Sequence, residues 1–240
     1  MSNNATNSAV LVAAGIGQRY GGNKLIETIA DIPVLIHSVR AFCLPEISEI
    51  IVVAHESNIS LYQNLINTYQ PDPRIRIIPG GSERWQSSLI GIQAAAGDIV
   101  AIHDAARPLI TAEQICLSLQ TAAATGACLV AAPATDSIKI VHNGVNTESL
   151  DRSTVYLAQT PQTFRRSLIL EAYNRAAAAH FDKMTDESEL ITRFMRQTVA
   201  IIPSTNRNLN ITYPGDLSVA RTFYDLDATS TPKESSAVRP

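Results

Sequence analysis

Cysteine is scarce: the 240-residue chain has 3, Cys43, Cys116 and Cys128, an odd number spread far apart. That excludes a disulfide framework and supplies no C-x-x-C pair for a metal or redox site, so all three thiols are expected as small buried hydrophobes. No apolar run approaches the ~20 residues of a membrane-crossing helix. The opening "MSNNATNS" has neither the charged start nor the apolar stretch of a secretory leader. The expectation is a cytoplasmic protein without a membrane partner. A basic excess is missing too: 19 Lys and Arg against 22 Asp and Glu leave a net charge of -3, nothing that would hold nucleic acid. Any basic site must therefore be local.

What is present is a 45% apolar sequence, long enough for one domain with a substantial core. Short continuous apolar runs, "SAVLVAAG" (8–15), "IIVVAH" (50–55), "RIIPG" (76–80), "DIVAIHD" (98–104) and "ACLVAAP" (127–133), have the pattern of strands covered on both faces. Helix-like stretches at 34–43, 60–69, 85–96 and 111–126 alternate with them, which predicts an α/β fold with a largely parallel sheet. After Pro133 the rhythm breaks. Asn143-Gly144 between β-prone runs is a hairpin signal, so residues 135–160 are read as an arm projecting from the main sheet. Helices resume at 166–180 and 187–195, followed by a strand at 198–203 and a helix at 214–226. Residues 8–226 are thus one domain, with 1–7 and the polar tail 227–240 expected to be disordered.

The stretch "AVLVAAGIGQRYGGNK" (9–24) contains no acidic residue, yet carries Arg19 and Lys24 beside a pair of glycines. In open parallel sheets a ligand sits beyond the carboxyl ends of the strands, where this loop should lie. Gly15 and Gly17 would let backbone N–H groups approach a phosphate. The dinucleotide fingerprint fails, because Tyr20 stands where its third glycine belongs, and a Walker loop fails because no hydroxyl follows Lys24. Two unneutralised cations on a glycine turn suit a triphosphate with a pyrophosphate leaving group. A solvated loop with two unrelated cations stays open on this segment alone. Further along, "HDAARP" (103–108) should bring Asp104 to the same edge as an oxygen ligand for Mg²⁺, and "GGSERWQSS" (80–88) offers hydroxyls that reach a base or cap a helix.

Taken together, "AAGIGQR…K", "GGSER…S", "HDAARP", "DR…TPQTF" and "TDES" resemble the 2-C-methyl-D-erythritol 4-phosphate cytidylyltransferases, over about residues 8 to 226. The resemblance implies a Rossmann-like nucleotidyltransferase sandwich whose protruding β-arm makes a homodimer, using Mg²⁺, CTP and a polyol phosphate. It implies that Ala13, Ala14, Gly15, Gly17 and Arg19 form the CTP loop, with Lys24 joining Arg19 on the phosphates. Gly80, Gly81 and Ser87 would face cytosine, while Asp104 and Ala105 would lie near the ribose and metal. Arg152 and Thr160, with Thr185 or Asp186, would handle the second substrate, Arg152 from the neighbouring subunit. The acceptor phosphate is already ionised near neutrality, so His103 is expected to be structural rather than a base.

One segment departs from the family pattern. In "LNITYPGDL" (209–217) Asn210 stands where a phosphate-binding lysine is expected, and a neutral amide lacks the charge-assisted part of that contact. Arg207, three residues upstream, either supplies the missing charge or is an ordinary loop cation. Other readings that the sequence leaves are a cytidylyltransferase for another polyol phosphate, such as ribitol 5-phosphate, and a non-catalytic homologue.

Overall fold

The structure, a computed structural model, describes residues 5–181 and 183–230. The disorder expected at 1–4 and 231–240 lies outside these residues. Eleven strands run as β1 (Asn7–Ala13), β2 (Thr28–Ile29), β3 (Ile32–Pro33), β4 (Glu49–Ala54), β5 (Ile75–Pro79), β6 (Ile99–Asp104), β7 (Ala127–Pro133), β8 (Lys139–His142), β9 (Val145–Ser149), β10 (Tyr156–Arg165) and β11 (Ala200–Pro203). The helices are α1 (Val34–Phe42), α2 (Ile59–Tyr69), α3 (Arg84–Ala94), α4 (Ala112–Thr125), α5 (Arg166–Ala178), α6 (Glu187–Leu190) and α7 (Pro214–Ser230). Asn7 already belongs to β1, and α7 continues four residues past 226, so the ordered core is wider at both ends than the composition suggested.

Seven strands form one sheet in the order β11-β7-β10-β6-β1-β4-β5. All its neighbours pair in parallel except β10, which is antiparallel to both β6 and β7. The apolar runs behave as doubly covered strands should. Along β1, Ala9, Leu11 and Ala13 join a core with α1, α2, α4 and α7, while Val10 turns to the opposite core with α3, α5 and α6.

The arm needs a correction. Its hairpin forms as read, β8 against β9 around Asn143 and Gly144, both at positive φ. Residues 156–160, however, are already the first half of β10, which pairs with β7 alone at 156–158 and lies between β6 and β7 at 162–165. Between Ala158 and Gln162 the register against β7 slips, so Gln159, Thr160 and Pro161 bulge out of the ladder. Among the described residues no helix is long and apolar enough to cross a membrane. Cys128 is buried as expected, but Cys43 and Cys116 are only half-buried.

Candidate active site

The turn after β1 forms the first wall. Gly17 has φ +67, and a Cβ there would stand 2.0 Å from the carbonyl oxygen of Gly22, so only glycine fits. The N–H groups of Tyr20 and Gly21 both donate to the Gly17 carbonyl at 2.9 Å and close the turn. Gly15 and Arg19 are left exposed at its rim. Lys24 follows at the start of a 3-10 turn and is half-buried, its Nζ donating to the Ile211 carbonyl. Burial pulls this ammonium below the usual lysine range, with Asp104 opposing the shift.

The second wall is the loop from β5 into α3. The Gly80 N–H donates to the Ala54 carbonyl at 2.8 Å, and the Gly81 N–H donates to Ser87 Oγ at 3.1 Å. Ser87 is fully buried and its hydroxyl donates to the Glu83 carbonyl at 3.2 Å, so it shapes the loop from within. The serines do not cap α3. Gln86 Oε1 accepts instead from the Glu83 N–H at 3.2 Å and the Ser82 hydroxyl at 2.8 Å, and the buried Ser88 hydroxyl has no partner among the described residues.

Asp104, the last residue of β6, is the floor. Arg84 Nε donates to its Oδ1 at 2.9 Å, Asn210 Nδ2 donates to its Oδ2 at 3.3 Å, and Arg107 Nε stands 3.6 Å from Oδ2. Burial alone would raise this carboxyl's pKa, but Arg84 and Arg107 overcome it and hold the value down to about 2. Arg84 also donates from Nη1 to both oxygens of Glu187, at 2.8 and 3.0 Å. Burial works against the Arg84 charge, and the two carboxylates more than restore it.

His103 beside Asp104 is wholly buried. Its Nε2 lies 3.1 Å from the Arg107 carbonyl, which can only accept, so Nε2 carries the proton and Nδ1 accepts from the Thr160 hydroxyl at 2.9 Å. Burial drops its pKa to about 4, and a neutral, doubly bonded imidazole away from the cleft is structural, as expected.

These walls enclose a cleft of about 210 Å³ lined by Ala13, Ala14, Gly15, Arg19, Lys24, Gly81, Arg84, Ser87, Asp104 and Asn210. It opens onto a second hollow that Gly17 lines and that shares Arg19 and Lys24. Arg19, Lys24 and Arg84 line the cleft with two carboxylates, Asp104 and Glu83, and because Arg84 already pairs with Asp104 the cations left for a polyanion are Arg19 and Lys24.

Other expected residues stand elsewhere. Ala105 is fully buried, its N–H donating to the Val12 carbonyl at 3.0 Å and its carbonyl accepting from Ser38 at 2.8 Å, so it lies behind the wall rather than on it. The Thr160 hydroxyl is turned inward and accepts from the Asp104 N–H at 3.0 Å. Thr185 gives its N–H and hydroxyl to Glu189 at 3.0 and 3.2 Å, and Asp186 caps α6; neither lines the cleft. Arg152, exposed on a short turn after β9, donates to the Thr135 carbonyl at 2.9 Å, outside the cleft of its own chain. Arg207 pairs with Asp227 and bonds the Phe223 carbonyl on α7 at 3.2 Å, so it does not fill in for a lysine at position 210.

Sequence reasoning gave no role to Arg84, Arg107 or Glu187. The two arginines lie inside "GGSER" and "HDAARP", where a charge among small residues was the available signal. Glu187 had none, since its ion pair spans 103 residues.

A sequence model of the family described as 2-C-methyl-D-erythritol 4-phosphate cytidylyltransferase matches residues 8–225. A protein of that name from Bacillus licheniformis is 38% identical over 222 residues, covering 91% of this chain and 95% of its own. Another from Syntrophotalea carbinolica is 39% identical over 223 residues, 90% of this chain and 95% of its own. Among solved structures, 4-diphosphocytidyl-2C-methyl-D-erythritol synthase from Anaerococcus prevotii superposes with a TM-score of 0.83 at 27% identity, over 93% of this chain and 97% of its own.

Proposed function

Because the chain belongs to the 2-C-methyl-D-erythritol 4-phosphate cytidylyltransferase family, we infer that it transfers CMP from CTP to 2-C-methyl-D-erythritol 4-phosphate, forming 4-diphosphocytidyl-2-C-methyl-D-erythritol. The observation that carries the mechanism is the pair Arg19 and Lys24, set by an obligatory glycine turn, across the cleft from an ionised Asp104. A phosphate oxygen of the acceptor attacks the α-phosphorus of CTP; the new O–P bond forms as the bond to the β-phosphate oxygen breaks, and pyrophosphate leaves. The attacking phosphate is already ionised, so no side chain has to remove a proton. Two anions must instead be brought together and the charge on the leaving group met. Arg19 and Lys24 do this from the rim, each contributing about 3 kcal/mol in the transition state, on the scale of an oxyanion-hole donor.

The base is assigned to the pocket beside Ala14, Gly80, Gly81 and Ser87. With its hydroxyl and the Gly81 N–H bonded to each other, Ser87 acts on the base by fixing the loop's shape. No cluster of three or more His, Cys, Asp or Glu side chains that could hold a metal occurs among the described residues. Asp104, ionised and partly accessible at the floor, is the residue that would hold a magnesium ion, and it would have to share its oxygens with Arg84 and Asn210. Such an ion would supply neutralisation of phosphate charge. Arg152, with Thr185 and Asp186, is assigned to the acceptor across a homodimer made by the arm. That places Arg152 in the partner's cleft and accounts for its distance from its own.

Pyrophosphate release from CTP with 2-C-methyl-D-erythritol 4-phosphate tests the reading. It is expected to exceed release with ribitol 5-phosphate, or from UTP, and to fall about 100-fold in kcat for Lys24→Ala. Equal turnover of both acceptors would overturn the substrate, and no release with either would overturn the activity.

A further inference from the structure

Glu187 is a carboxylate with no exposure at all. Burying a charge is expensive, and replacing a buried ion pair with packed apolar side chains is often neutral or better, so stability alone is a weak reason for this one. What Glu187 holds is Arg84, whose guanidinium reaches out to the cleft: Nη1 bonds the two Glu187 oxygens at 2.8 and 3.0 Å, and Nε bonds Asp104 Oδ1 at 2.9 Å. Because the guanidinium is planar, fixing one edge on a buried carboxylate fixes the direction in which the other presents Asp104. Arg84 Nη2 makes no hydrogen bond to any described residue.

The chain of contacts also joins two parts of the molecule. Arg84 is the first residue of α3, directly after the Gly80–Glu83 loop, while Glu187 is the first residue of α6, directly after Thr185 and Asp186. Tyr173 closes the far side, its hydroxyl 3.5 Å from Glu187 Oε1. We propose that Arg84 is a positioning residue, aligned from behind by Glu187, that sets the Asp104 carboxylate for the nucleotide and couples the nucleotide loop to the acceptor segment 185–187. This rests on the family reading of which ligand occupies the cleft. It assigns Glu187, which can touch neither substrate, an effect on the binding of both.

The test is calorimetric titration of the full chain with CTP and Mg²⁺, together with acceptor kinetics, for Glu187→Gln, Arg84→Gln and the double variant. Glu187→Gln keeps the shape and removes the charge. It is expected to weaken CTP binding about 10-fold and raise the acceptor KM similarly, with a smaller change in kcat. In the Arg84→Gln background the same substitution should add less than about twofold, because the two side chains act as one unit. Arg84→Lys, which keeps the charge and loses the fork, is expected to fold and still weaken CTP binding. A Glu187→Gln protein with a lowered melting temperature but wild-type CTP affinity and acceptor KM would make the pair merely structural and overturn the proposal. Effects that multiply in the double variant would overturn it as well. Wild-type protein that binds no CTP would overturn the family reading and this proposal with it, whereas intact wild-type binding that Glu187→Gln leaves unchanged overturns the proposal alone.

Discussion

Asn210 lines the cleft beside Asp104. Its Nδ2 is given to Asp104, and its Oδ1 is buried without a partner among the described residues. An ammonium here would add a charge-assisted contact to the acceptor phosphate, worth about 1 kcal/mol more than a neutral amide. Asn210→Lys is therefore expected to lower the acceptor KM about fivefold while leaving the CTP KM unchanged, measured by steady-state pyrophosphate release. Arg207 enters the same experiment as a control. Its charge is engaged on α7 by Asp227 and by the Phe223 carbonyl, with the Phe223 ring centroid 5.4 Å away. Arg207→Ala should leave both KM values within twofold and cost at most ~1 kcal/mol of stability. A severe Arg207→Ala defect in acceptor KM would show that the ion pair opens during turnover.

At the scale of elements, α3 is held against the sheet more closely than a side chain would permit. A Cβ on Gly91 would lie 2.3 Å from Val10 Cγ1 and 2.9 Å from Val53 Cγ2, on β1 and β4. Gly91→Ala raises helix propensity but overpacks this contact, and should destabilise the protein by about 1–3 kcal/mol in urea unfolding. Because α3 begins with Arg84 and carries Ser87, the same shift is expected to raise the CTP KM. Unchanged stability would mean that the helix rides outward freely. The strand β10 shows why one element escaped the sequence pattern. Its central residues Gln159, Thr160, Gln162 and Thr163 are buried although polar. Each is satisfied by a distant group: Gln159 by the Thr205 carbonyl at 3.0 Å, Gln162 by the Ser188 N–H at 2.9 Å, Thr163 by Ser118 Oγ at 3.0 Å and Thr160 by Asp104 and His103. Read locally, such a stretch is a loop or an exposed arm; only its partners make it a central strand.

At the scale of the whole molecule, the arm and the strand beside it expose apolar side chains. Ile138, Ile140 and Val155 are half-buried within the chain. The exposed apolar residues are Val141, Val145 and Leu150 on the arm, with Tyr156 and Leu157 at the start of β10 beside it, between 38 and 64% exposed. A second copy covering them fits the proposed homodimer, since an isolated hairpin with apolar side chains and open strand edges is a poor surface for a monomer. If Arg152 serves the partner's cleft, an Arg152→Ala chain mixed with a Lys24→Ala chain regains a working site in each heterodimer. Mixing the two inactive homodimers and allowing subunits to exchange is expected to restore about a quarter of wild-type turnover, half the dimers each having one good site of two. No recovery despite demonstrated exchange would place Arg152 in its own subunit's cleft or outside catalysis.

The sequence by itself determined the features that depend on near neighbours. Doubly covered strands show as unbroken apolar runs, helices as the stretches between them, and the hairpin as Asn143-Gly144, because these patterns repeat within a few residues. The glycine turn with Arg19 and Lys24, and Asp104 at the end of β6, were legible for the same reason: a strand end and the loop after it are consecutive in sequence. Only the tertiary structure decided what depends on distant partners. Ala105 follows Asp104 in sequence, yet the strand's exit direction seals it behind β1. Thr160 looked like a binding hydroxyl and is instead the support of Asp104 and His103. Arg84 took no role from its sequence neighbours, and only the fold sets Glu187, 103 residues further on, against it. The electrostatics of a buried ion are set by what surrounds it in space, and no local pattern in the chain encodes that surrounding.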